Sequence, residues 1–161
     1  MEITIREYAE NDLKQMIEVW NEVVNDGIAF PQKEPLDIDS AKDFFSSQSF
    51  TGIAEKEGEI LGLYILHPNN IGRCGHISNA SYAVSSNSRG LKIGKRLVVH
   101  SIETAKNLGF KILQFNAVVK SNTIAIKLYE NLGFKKIGTV PKGFLNKNNI
   151  YEDILLFYYE L

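Results

Sequence analysis

Residues 88–97 read SRGLKIGKRL, and four of the eight residues from Arg89 to Arg96 are cationic: Arg89, Lys92, Lys95 and Arg96. Gly90 and Gly94 are set among them, and an apolar helical pattern follows at Leu97, Val98, Ile102, Ala105 and Leu108. Cations at a helix start sit against N–H groups that already carry partial positive charge. They make sense if an anion is held there, because free amides and the helix dipole favour a phosphate and glycines let the backbone approach it. The competing reading is a solvated basic helix face. The pattern is neither a Walker A loop nor a G-x-G-x-x-G fingerprint, so nucleotide hydrolysis and hydride transfer lack their motifs.

Working outward, SYAV before the loop ends a strand predicted over 76–84, and the helix runs over about 91–108. Upstream, ITIREY (3–8) alternates as a strand, and Asp12 opens a helix with Leu13, Met16, Ile17, Trp20 and Val24 on one face, ending near Gly27. Residues 28–38 hold two prolines and read as a loop, and a short helix is predicted at 39–48 with Asp39 or Ser40 as cap. Strands at 50–56 and 59–66 flank a tight Glu57-Gly58 turn, and 67–75 is a turn-rich loop. Downstream come a strand at 111–119, a helix at 122–132 and strands at 134–140 and 150–159. The pentapeptide NLGFK occurs twice, at 107–111 and 131–135, each time between a predicted helix and a predicted strand. The glycine there suits the left-handed residue that ends a helix. The order β α α β β β α β α β β predicts an α+β, or α/β three-layer, domain spanning 1–161, with a mixed sheet and helices on its faces.

The composition bounds the function. Hydrophobic residues make up 44% and charged residues 23%, and the net charge of −1 argues against a general affinity for nucleic acid or anionic membrane. Cys74 is the one cysteine, so no intrachain disulfide forms. The three histidines and Cys74 show no metal-ligand spacing, and no metal is expected. The charged start MEITIREY has no signal-peptide apolar region and no apolar run spans a membrane. A soluble cytoplasmic protein is the expectation.

Arg89-Gly90-Leu91-Lys92-Ile93-Gly94 resembles the Q/R-x-x-G-x-G/A acyl-CoA pyrophosphate loop of the GNAT superfamily of N-acetyltransferases, with Lys92 where that pattern has its first glycine. Asn122, Ala125, Leu128, Tyr129, Gly133 and Phe134 stand at the spacing of the family's N-x-x-A-x-x-L-Y-x-x-x-G-F segment. The resemblance covers essentially the whole chain. It implies a mostly antiparallel central sheet with helices on both faces, acetyl-CoA as cosubstrate, and direct transfer in a ternary complex. It implies that the loop from Arg89 to Lys95 holds the phosphates, that Tyr82, Ala83 and Val84 offer backbone groups to the pantetheine arm, and that Asn122 bonds the arm. A homodimer is also in keeping with the family. Asn69, Gly72-Arg73, His76-Ile77, Asn79-Ala80 and Phe115-Asn116 are further similar to segments of fungal acetyltransferases acting on proline analogues such as azetidine-2-carboxylate.

Acetyl transfer needs a polarised carbonyl, a neutral amine and a proton for the leaving thiolate. Tyr129 is the candidate acid, since a phenol at ~10 stays protonated where a thiol at ~8.5 begins to ionise; Tyr82 and Tyr64 are alternatives. His76 is a candidate base, against a plain structural histidine. Cys74 has no evident base partner for an acyl-enzyme. Asn79 and Asn116, on the strands flanking the basic helix, are candidate acceptor-binding residues. Asn79 shares a strand face with Ile77, Ser81 and Ala83, and Asn116 one with Gln114 and Ile112; an inward amide on either needs a partner. The expected reaction is acetylation of a small-molecule amine, an amino acid or proline analogue. The alternatives are a protein N-terminus, a lysine or a polyamine as acceptor, or a non-catalytic acyl-CoA-sensing module.

Overall fold

The computed structural model describes residues 2–161. Seven strands form one sheet: β1 (Thr4–Glu7), β2 (Phe50–Lys56), β3 (Glu59–Pro68), β4 (Ile77–Val84), β5 (Ile112–Val119), β6 (Lys135–Leu145) and β7 (Tyr151–Glu160). Their spatial order is β1-β2-β3-β4-β5-β7-β6, and every neighbouring pair is antiparallel except β4 and β5. The helices are α1 (Leu13–Asp26), α2 (Ile38–Ser46), α3 (Ile93–Asn107) and α4 (Thr123–Asn131). None of them is long and apolar enough to cross a membrane.

The sheet is covered on both faces. Met16, Trp20 and Val24 of α1 and Phe45 of α2 pack on Ile53, Leu63 and Ile65, while Leu97, Val98 and Ala105 of α3 pack with Leu66, Leu113 and Phe157 on the other side. Leu61 to Leu66 of β3 are therefore buried on both faces, which is why EILGLYIL reads as a near-continuous apolar run rather than as an alternation. Gly62 lets α3 come close: a Cβ there would lie 2.9 Å from the Ala83 carbonyl oxygen and 2.9 Å from Ile93 Cγ2. The two NLGFK glycines, Gly109 and Gly133, have φ of +91° and +97° just after α3 and α4, as a left-handed helix exit requires.

Element order follows the sequence, with local differences. The cap of α2 is Asp37, not Asp39 or Ser40: Ser40 N donates to Asp37 Oδ1 at 2.7 Å and Asp37 N donates back to Ser40 Oγ at 2.9 Å. Asp12 ends a 3-10 turn instead of lending its side chain to α1, because Arg6 and the Ala9 amide already hold its carboxylate. β6 runs five residues beyond the predicted 140. Pro141 is tolerated there because β6 is a sheet edge with a register shift between Val140 and Phe144.

Candidate active site

The parallel pair β4–β5 is short. Only Ile77↔Ile112 and Ser78↔Leu113 are in register, after which the strands part. β5 keeps its other partner, β7, but a register shift between Phe115 and Val118 bends it away. The result is a cleft of about 210 Å³ opening through the sheet, walled by Asn79–Tyr82 of β4, Phe115–Val119 of β5, Asn122, Ala125 and Tyr129 near and on α4, and Ala29–Pro31 after α1.

On the open side β4 has no strand partner beyond Ser78. The Ser85 amide donates to the Leu61 carbonyl and the Asn69 amide donates to the Ile77 carbonyl, so odd-numbered residues of β4 point their backbone groups at β3. The register with β3 is unbroken, so Ala80, Tyr82 and Val84 turn theirs toward the cleft. Of the three residues expected to offer backbone groups, Tyr82 and Val84 have theirs on the open edge of β4, while the Ala83 backbone is directed at β3.

At the cleft's end the chain passes through a 3-10 turn (Ser86–Ser88) into the loop. Gly90 has φ +84° and Lys92 φ +55°, so the chain enters α3 through two left-handed residues. The left-handed Lys92 accounts for the glycine that the family pattern has at this position. The first amides of α3, at Ile93, Gly94 and Lys95, have no carbonyl of their own helix to bond. Ile93 is buried, so it can offer a ligand only its backbone, whereas Arg89, Leu91, Lys92 and Lys95 are exposed. None of Arg89, Lys92, Lys95 and Arg96 makes an ion pair among the described residues. A Cβ on Gly94 would meet Leu128 Cδ2 at 3.7 Å and Val84 Cγ2 at 3.9 Å, so β4, the loop and α4 converge at that glycine.

The three candidate phenols separate cleanly. The Tyr64 hydroxyl lies 2.8 Å from His100 Nδ1 and donates to Thr104 Oγ1 at 3.1 Å, and the Tyr82 hydroxyl lies 2.7 Å from Ser101 Oγ. Both are committed to α3. The Tyr129 ring lies tilted against Phe115 at 4.5 Å and Phe134 at 5.6 Å, and its hydroxyl has no hydrogen-bond partner among the described residues. Burial pushes the Tyr129 phenol well above its ordinary range, so it stays protonated.

Asn122 caps α4, its Oδ1 accepting from Ala125 N at 3.3 Å, and its remaining amide group sits at the cleft. Asn79 is half-buried and lines the cleft, with Nδ2 donating to the Gln114 carbonyl at 2.8 Å. Asn116 is exposed, not inward, because the β5 register shift carries it to the rim. There it exchanges hydrogen bonds with the Asn69 amide and accepts from Gln114 Nε2 at 3.1 Å. His76 is exposed at the turn before β4 and does not line the cleft; its backbone carbonyl accepts from Lys111 N at 2.9 Å. Cys74 is exposed and free, and no group of three potential metal ligands occurs among the described residues. Phe30 and Pro31 escape sequence reading, because a proline-rich loop carries no signal of which wall it forms. Gln114 and Ser81 escape it because they look like ordinary strand polar residues.

Residues 13–134 match the model of the Acetyltransferase (GNAT) family. The N-acetyltransferase aca1 of Schizosaccharomyces pombe is 29% identical over 158 residues, covering 84% of this chain and 76% of that protein. An L-methionine sulfoximine/L-methionine sulfone acetyltransferase of Pseudomonas aeruginosa is 25% identical over 150 residues, covering 88% and 86%. The structure of a GCN5-related N-acetyltransferase from Kribbella flavida superposes with a TM-score of 0.91 at 30% identity, covering 99% and 98% of the two chains. The free helix amides, the open β4 edge and the Tyr129 hydroxyl thus occur in a chain that belongs to the GNAT family of acetyltransferases.

Proposed function

We propose that the chain moves the acetyl group of acetyl-CoA, its cosubstrate as a GNAT enzyme, directly onto the amine of a small molecule, an amino acid or a proline analogue. The observation that carries this reading is what surrounds the splay of β4 from β5: an unpaired strand edge and a protonated phenol at the cleft, with unpaired cations and free amides beyond its end at the start of α3, which meets β4 and α4 at Gly94. The pyrophosphate meets the amides and cations of Arg89, Gly90, Leu91, Lys92, Ile93, Gly94 and Lys95. The pantetheine arm lies along Tyr82 and Val84 and reaches Asn122. A β4 amide facing the cleft polarises the thioester carbonyl. Tyr129 protonates the departing thiolate. Asn79 faces the acceptor, Asn116 stands at the rim where the acceptor enters, and the acceptor's carbon skeleton rests on Phe30 and Pro31.

The small acceptor is supported by the modest cleft and by two likenesses. One is to the proline-analogue enzymes at Asn79 and Asn116; the other is to a protein named for L-methionine sulfoximine and L-methionine sulfone. The test is a panel of amines with acetyl-CoA, read by thiol release: amino acids, L-methionine sulfone, azetidine-2-carboxylate, polyamines and peptides. Preference for a polyamine or peptide refutes the small-acceptor reading.

A further inference from the structure

Glu22 stands where helix physics and ligand chemistry both speak against it. It lies on α1 with Glu18 one turn before it and Asp26 one turn after, and like charges at that spacing disfavour a helix. It also sets a negative charge beside the turn that leads into the basic loop, where the reading above puts a polyanion. The loop carries cations, yet Glu22 makes no ion pair among the described residues. Its Oε1 instead accepts the Ser86 amide at 3.0 Å, 64 positions along the chain.

Ser86 opens the three-residue 3-10 turn between β4 and the loop. The far end of that turn is held from inside the protein. Ser88 is 2% exposed, and its hydroxyl donates to the Leu61 carbonyl at 3.1 Å. The same carbonyl accepts the Ser85 amide at 2.9 Å, so one buried residue of β3 holds both the entry and the exit of the turn. The Ser88 carbonyl in turn accepts the Leu91 amide at 3.2 Å, which closes the bend through Arg89 and Gly90. Among the described hydrogen bonds, the Glu22 and Ser88 side-chain contacts are the only ones that tie residues 86–91 to α1 or to the sheet. A bend that passes through left-handed residues at Gly90 and Lys92 has no strand or helix of its own to keep it, so its shape is set at its root.

We infer that Glu22 and Ser88 are positioning residues for the donor: from α1 and from β3 they fix the root of the loop, so that the amides from Leu91 to Lys95 are already aimed at one place when the pyrophosphate arrives. This rests on the reading above that the loop takes the pyrophosphate. Holding the amides beforehand spares the ordering that a free loop would undergo on binding. The Glu22 charge works against the donor and its hydrogen bond works for it, and substitution separates the two.

The experiment titrates acetyl-CoA calorimetrically into the unaltered protein and into Glu22→Ala, Glu22→Gln and Ser88→Ala, with a thermal melt of each in the absence of ligand. Glu22→Ala and Ser88→Ala are expected to raise the acetyl-CoA Kd by roughly 3- to 10-fold, the scale of one hydrogen bond lost from a preorganised site. Glu22→Gln keeps an oxygen for the Ser86 amide and drops the charge, so its Kd stays at or below that of the unaltered protein. The ligand-free melts stay within about 2 °C or rise. Glu22→Ala relieves the repulsion from Glu18 and Asp26, and Ser88→Ala leaves the Leu61 carbonyl bonded to the Ser85 amide. Three results overturn the positioning role: tighter binding in Glu22→Ala, equal weakening in Glu22→Gln and Glu22→Ala, or an unchanged Kd in both alanine variants. A ligand-free melt lower by more than about 5 °C in both alanine variants also overturns it, because the contacts then support the fold at large. A Lys92→Glu/Lys95→Glu variant in the same series separates the two readings. A raised Kd there keeps the phosphate site at the loop whatever the anchors do, and an unchanged Kd removes that site and the positioning role with it.

Discussion

Replacing Tyr129 with Phe removes one oxygen and leaves the packing. The ring keeps its contacts with Phe115, Phe134 and Phe157. The lost hydroxyl has no hydrogen-bond partner among the described residues, so no buried group is orphaned. The melting temperature is therefore expected to stay within about 2 °C, because a change under ~0.5 kcal/mol moves a domain of this size by no more than that. The chemical step is expected to fall roughly 10²–10⁴-fold, the usual contribution of a positioned acid, or about 3–5 kcal/mol of barrier. The sign of the pH dependence follows from burial. The phenol's pKa is raised, so it is a competent donor at every pH below that raised value. A basic limb due to this group lies above about pH 10, and between pH 7 and 9 it contributes no loss of kcat. The assay is thiol release at saturating acetyl-CoA, with calorimetry for the Kd of the donor. A Tyr129→Phe variant with unaltered kcat refutes the assignment and leaves water as the source of the thiolate's proton. A variant with raised acetyl-CoA Kd and unchanged kcat makes the hydroxyl a binding group instead.

Reversing Lys92 and Lys95 to Glu should raise the acetyl-CoA Kd by on the order of 10- to 100-fold, the scale of lost charge-assisted contacts. It should at the same time raise the apo melting temperature slightly, because acidic residues suit a helix start; a fall in apo stability with unchanged Kd would make the cluster structural. Gly62→Ala forces a Cβ to 2.9 Å from the Ala83 carbonyl and from Ile93 at the start of α3. It should cost about 2 kcal/mol, or about 4–8 °C in thermal melts, and weaken acetyl-CoA binding as the helix start shifts; an unchanged melt would show the contact is relieved cheaply. Arg6 lies 2.8 Å from Asp12 and holds its carboxyl below the usual range. A lowered carboxyl contributes stability that is complete above its unfolded value of ~3.9 and is lost as pH falls through the folded one. Asp12→Asn should thus cost about 2 kcal/mol in urea titrations at pH 7 and progressively less below pH 4; a deficit that stays constant with pH would show that charge is not the cause.

What the sequence made legible was whatever short-range physics sets. The helix exits at the NLGFK repeats need a left-handed residue, and a glycine announces one at each. The basic loop from Arg89 to Arg96 breaks a helix-charge rule over eight residues, so its oddity shows without any knowledge of the fold. Tyr129 could be chosen over Tyr82 and Tyr64 by its spacing from Asn122 and Gly133, but the physical reason for the choice is tertiary. The other two hydroxyls are consumed by Ser101, His100 and Thr104 on α3, far from them in sequence. The acceptor side was harder for the same reason. Asn79 and Asn116 look equivalent as polar residues on neighbouring strands, and alternation alone gives each a face. What distinguishes them is where parallel pairing ends and where β5 shifts register, two events fixed by β7 and by the long-range packing behind it. That divergence leaves Asn79 in the cleft with one amide face spoken for and the other open. Asn116 goes to the rim, where the Asn69 and Gln114 amides bond it. The same divergence frees the backbone of Tyr82 and Val84 while the Ala83 backbone stays with β3. One missing stretch of strand pairing therefore accounts for the open β4 edge and the cleft together, and strand pairing is the feature of a fold that local sequence encodes least.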